Sequence, residues 1–124
     1  MMIQPERSGA VRLSLAQAEI RALTQGHAIT AIRRGTLHVK LSMPVHPNEQ
    51  TPHTQDEIYV IVRGYGVLVY DAQRQPFGPG DLLFVAAGVP HYFAEFGDDL
   101  TVWVIFYGAE GGESALEASR GGVR

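Results

Sequence analysis

Apolar residues along the chain fall into short runs, broken at intervals of roughly 8–12 residues by glycine, proline or an acidic turn. Leu37, Val39, Leu41 and Met43 alternate with Thr36, His38, Lys40 and Ser42, which predicts a half-buried strand over 36–43. Ala28–Arg33 reads as a strand before it. Ile58–Val62 is apolar without alternation, as in a strand covered on both faces. Val67–Tyr70, Leu82–Val85, His91–Phe96 and Leu100–Tyr107 complete the set, with "RGYG", "DAQRQ", "FGPGD", "AAGVP" and "GDD" as the turns between them. One segment has a helical period instead. Ser14 followed by Gln17 fits a capping box, and Leu15, Ala18, Ile20 or Ala22, and Leu23 form an apolar stripe that Gly26 ends. The pattern predicts a short helix near 14–24 and otherwise an all-β barrel or double-sheet jelly roll.

Length bounds this to one compact domain, since 124 residues are too few for two comfortable cores. The expected division is an N-terminal arm and helix over 1–26, a barrel over 27–108 and a flexible tail over 109–124. A formal charge of −3 with scattered Lys and Arg excludes a nucleic-acid footprint. No apolar run reaches the length of a membrane span, and the first residues lack the core of a signal peptide, so a cytoplasmic protein is expected. With no cysteine, a metal would have to be held by imidazole and carboxylate.

Histidine and glutamate stand four apart in "TPHTQDEIYVIVRG", as His53 and Glu57. Pro52 and the β-branched run argue against a helix. On a straight strand four residues span about 13 Å, too far for one ion to bridge. A shared metal therefore requires the chain to bend between them; otherwise the pair is a polar loop entering a strand. Further on, "GPGDLLFVAAGVPHYFAE" sets His91 just after a glycine turn, which aims its imidazole from a fixed backbone position.

With both stretches in view, residues 35–107 resemble a small single-domain cupin. That family's first motif runs Gly, five residues, His-x-His, three or four, Glu, six, Gly; here His53, Glu57 and Gly64 match, and Thr51 stands where the first histidine belongs. In the second motif Gly80, Gly88 and His91 match, with Ala86 in the proline position and Glu95 in the asparagine position. The first motif's opening glycine is missing. The resemblance implies an antiparallel jelly-roll barrel holding a metal by His53, Glu57 and His91. Two imidazoles and one carboxylate suit non-haem iron with open positions, and also accept Mn, Ni or Zn. The implied activity is a metal-dependent oxygenase acting on a small organic substrate. The alternatives are a Lewis-acid isomerase or cyclase, or a non-catalytic small-molecule barrel. Thr51 leaves open whether the site gains a coordination position or loses its metal.

Tyr59 and Ile61 share the parity of Glu57 and are expected to line the pocket, as are Phe93 and Glu95 from His91. Tyr59 and Glu95 are the candidate catalytic acids or bases, Glu95 only if it faces inward rather than sitting at a wet strand end. Gln55 is either a partner of the ligands or part of a solvated bend. His46 reads as a surface residue near the barrel mouth, His38 as solvent-facing or interfacial, His27 as a loop residue, and Trp103 as core packing. A homodimer is expected, with Ala28–Arg33 adding to a neighbour's sheet.

Overall fold

The computed structural model describes residues 9–48 and 52–113. A helix, α1 (Leu15–Thr24), precedes eight strands: β1 (Ala28–Arg34), β2 (Leu37–Ser42), β3 (Asp56–Arg63), β4 (Gly66–Tyr70), β5 (Gln73–Phe77), β6 (Leu82–Val85), β7 (His91–Ala94) and β8 (Thr101–Tyr107). The strands form a five-stranded sheet ordered β1-β2-β8-β3-β6 and a three-stranded sheet ordered β5-β4-β7, with every pairing antiparallel. The two sheets share one core and do not close into a continuously bonded barrel.

That core lies between the sheets. Tyr59, Ile61, Val102 and Val104 of the large sheet meet Leu68, Phe77 and Phe93 of the small one, with Phe93 packed on Tyr59 at 4.8 Å and on Phe77 at 5.5 Å between ring centroids. Burial of such side chains, at about 1.5–3 kcal/mol each, is what holds two sheets face to face. Gly64, which closes the first motif, has φ +96°, and a Cβ there would meet the Leu100 backbone at 2.8 Å. Its glycine therefore serves the approach of two backbones rather than any chemistry.

The helix begins where the capping box places it, with the Gln17 amide donating to Ser14 Oγ at 3.3 Å. It buries Ala18 and Ala22 on the outer face of the large sheet, against Ile29, Leu41 and Trp103. Ile20 and Leu23, counted in the expected stripe, are exposed. This docking explains a correction on β2. Its alternation is real, but Leu41, paired with Trp103, belongs to the outer face under α1, whereas His38 and Lys40 pair with Phe106 and Val104 of the inner face. His38 is thus half-buried inside rather than solvent-facing. Trp103 packs outside, beneath the helix.

A second correction concerns "DAQRQ". Only Asp71 and Ala72 turn, both in left-handed backbone, and Gln73–Phe77 forms β5. Three polar, exposed residues and an exposed Pro76 suit an edge strand, where proline's missing donor costs nothing and polarity guards the free edge. Among the described residues no helix is long and apolar enough to cross a membrane.

Candidate metal centre

His53, Glu57 and His91 come together at one end of the core, each offering a ligand atom within 4.8 Å of the others. The required bend is present. Residues 54 and 55 turn, β3 starts at Asp56, and His53 Nε2 lies 2.6 Å from Glu57 Oε1. Several bonds hold the bend. The Gly88 amide donates to the His53 carbonyl at 2.8 Å, and the Gly111 amide to the Thr54 carbonyl at 2.7 Å. Gln55 Nε2 donates to the carbonyls of Thr36 and Gly108. Gly88, with φ +82°, turns the chain out of β6 and delivers His91 to the start of β7.

Each imidazole is aimed by its own Nδ1, which donates to the Gln55 carbonyl in His53, at 2.6 Å, and to the Val89 carbonyl in His91, at 2.8 Å. With Nδ1 protonated, a neutral ring presents the Nε2 lone pair, the form a metal requires. Both Nε2 atoms point at Glu57, which is 2% exposed. His53 Nε2 is buried and has no hydrogen-bond partner despite its short distance to Oε1, because the contact lacks hydrogen-bond geometry. His91 Nε2 sits 3.0 Å from Glu57 Oε1 and accepts from the Tyr59 hydroxyl at 2.9 Å. Burial lowers the His91 pKa, but a protonated ring, whose Nε2–H would donate to Glu57, is favoured by that bond, the Val89 carbonyl and the Glu57 charge, which together outweigh burial and raise the value. The site favours positive charge beside a buried carboxylate, and an orphaned lone pair faces the same point. Two imidazoles and a carboxylate, without any thiolate, fit a divalent Fe, Mn, Ni or Zn ion.

Tyr59 is buried at the cluster, as its parity predicts. Glu95 is not. Its φ of +55° breaks the alternation of β7, so the side chain turns outward, is exposed and pairs with Arg74. The inward Glu95 expected from strand parity is corrected on that ground. His46 is likewise structural, stacked on Phe96 at 3.9 Å with Nε2 donating to the Phe96 carbonyl at 2.8 Å. Thr51 lies outside the described residues. One contributor has no signal in the spacing. Asp56, 4% exposed, accepts from the Ala87 amide at 3.0 Å and the Glu113 amide at 2.9 Å, tying the His91 turn and residues 109–113 to β3. Residues 109–113, assigned to a flexible tail, are thus pinned beside the site.

Both candidate ligand segments and the strands from β3 to β8 fall within one profile match. The cupin domain family profile matches residues 41–107. The chain belongs to the cupin family. An uncharacterized protein of Streptomyces coelicolor is similar to this cupin at 32% identity over 99 residues, 78% of this chain and 93% of that protein. Among solved structures, a cupin-2 domain protein from Shewanella frigidimarina superposes with a TM-score of 0.60 at 16% identity, covering 77% of this chain and 94% of that one. The DMSP lyase DddQ from Ruegeria pomeroyi does so with a TM-score of 0.57 at 22% identity, over 78% of this cupin but 55% of the lyase. At these identities the structural likeness concerns the fold.

Proposed function

We propose that this cupin is a metal-dependent enzyme acting on a small organic substrate, with iron(II) as the preferred ion and oxygenase chemistry as the first reading. The observation that carries it is the convergence of His53 Nε2, His91 Nε2 and Glu57 Oε1, with the His53 atom unsatisfied. A bound iron(II) would supply redox chemistry toward dioxygen at the positions that three protein ligands leave open. The chain's own residues hold and aim: Glu57 contributes the negative charge, and the Gln55 and Val89 carbonyls fix the tautomers. The Tyr59 hydroxyl oxygen lies 2.9 Å from His91 Nε2, buried within the core. Access on the His53 side is a cleft of about 500 Å³ lined by Pro52, His53, Ala87, Gly88 and Glu110.

A second reading, Lewis-acid chemistry without dioxygen, rests on Tyr59. A phenol at the cluster is placed to take or give a proton, as a lyase or isomerase needs. The structural neighbour named a DMSP lyase belongs to that class. Elemental analysis of protein purified without chelator, set against His91→Ala, tests the shared premise. If the wild-type protein takes up none of Fe, Mn, Ni or Zn, both readings fail. Oxygen uptake by the iron(II) form with diketones, phenols and thiols then separates them, and full zinc occupancy without oxygen consumption selects the second.

A further inference from the structure

The register of the large sheet places Glu57 opposite Phe106, Phe106 opposite His38, and His38 opposite Arg33. Directly paired residues share a face, so these four stand in one row across β3, β8, β2 and β1. Three strand spacings of about 4.8 Å separate the ends, roughly 14 Å between the Glu57 and Arg33 backbones. The neighbouring row carries Tyr59, Val104, Lys40 and Thr30 on the same side. The Phe106 ring lies 5.1 Å from the His53 ring and 6.0 Å from the His38 ring, forming an apolar step between the metal centre and β1.

No residue of β1 or β2 joins the core cluster between the sheets. Their inner face is therefore polar, with Thr30, His38 and Lys40 half-buried and Arg33 exposed. Arg33 is folded back over the row, its Nη2 3.2 Å from each ring nitrogen of His38, and Thr30 Oγ1 is 2.9 Å from His38 Nε2. Among the described residues neither Arg33 nor Lys40 has a carboxylate within ion-pair distance, although the protein carries more acidic than basic residues. Burial and the charges of Arg33 and Lys40 lower the His38 pKa, so the local field is positive there. A guanidinium without a carboxylate partner, beside an ammonium, is suited to a carboxylate.

We infer that this row is the floor of the substrate site, and that Arg33 with Lys40 binds the carboxylate of a small organic acid whose apolar body lies on Phe106. The reacting end of that acid would lie at the metal centre, and to this extent the inference rests on the function proposed above. The carboxylate subsite itself needs no metal.

Benzoate and its neutral isostere benzamide, titrated by NMR into the metal-free and the zinc-loaded protein, test it. Benzoate should bind the metal-free protein at least about tenfold more tightly than benzamide, the equivalent of one charge-assisted hydrogen bond. The resonances that move should include the rings of Phe106 and His38. The Arg33→Ala/Lys40→Ala double variant should lose that preference, and Arg33→Lys should keep most of it. Equal binding of the two probes, or a preference unchanged in the double variant, overturns the inference. A preference that depends on Arg33 in a protein that takes up no metal leaves the subsite standing and removes the metal reading. His91→Ala, which strips the metal centre, should bind benzoate as the metal-free wild type does.

Discussion

Over β8, β3 and β6 the inner face of the large sheet is dry and aromatic, covered by Phe77 and Phe93 of the small sheet. Over β1 and β2 the same face carries Arg33, His38 and Lys40, with a bulge in β1 between Thr30 and Ile32. The hydrogen-bonded backbone is equivalent in both halves. What differs is the cover: three strands cannot roof five, and the two left over are roofed by polarity or not at all. The candidate metal centre sits within the covered half, where Glu57 and His91 are almost wholly buried and His53 is the candidate ligand nearest to solvent. The contrast teaches that one register can supply both a rigid wall and a recognition surface, according to which side chains the second sheet touches.

Stability breaks the comparison most sharply. Phe93→Ala, within the covered half, should cost about 3–5 kcal/mol by urea unfolding, whereas Arg33→Ala should change stability by no more than about 0.5 kcal/mol. Similar losses at the two positions would mean that the halves are packed alike. Next in size is metal linkage. Zinc or manganese at a hundredfold excess over its dissociation constant should stabilise the wild type by about 2.7 kcal/mol in thermal melts, and Glu57→Gln should abolish the gain. A melt of wild type that ignores every divalent ion would remove the centre from the covered half.

Asp56→Ala tests the seam between the ligand segments. Leaving the Ala87 and Glu113 amides without their acceptor should cost about 2 kcal/mol, with faster hydrogen exchange at those two amides and little change at β1. The smallest effect belongs to the open half. Because the folded pKa of His38 lies below its ordinary 6.5, unfolding takes up a proton below that value. His38 should therefore lower stability as the pH falls from 6.5 toward the folded pKa, and leave it unaffected above. His38→Gln should flatten that part of the pH profile, and a slope identical in the variant would assign it to other groups.

Much of this was legible before any coordinates. The capping residue and most strand runs follow from residue type and spacing, because capping and β-branching leave local marks, whereas the grouping of His53, Glu57 and His91 came through the resemblance to the cupin motifs. The required bend could be deduced from distance alone, and it is there. Four features escaped. β5 resembles a turn because an exposed edge strand selects polar residues and tolerates proline. The placement of His38 on β2 was not legible, since alternation reveals two faces but not which one a helix covers. Glu95 left its parity through one left-handed residue, and asparagine's position in the family motif gives no warning of it. Asp56 could not be separated from its neighbours in "TQDE" without knowing which amides would arrive from 31 and 57 residues away.

Each ligand histidine carries its orienting carbonyl two residues away along its own segment, Gln55 for His53 and Val89 for His91. The aim of each ring is therefore written into a peptide of a few residues and not into the distant sheets. Such a centre is portable: two short cassettes, joined by the backbone bond from Gly88 to His53, could be grafted onto any scaffold that holds them at this separation beside a buried carboxylate. For the same reason the surrounding strands can be redesigned for a different guest without retuning the imidazoles.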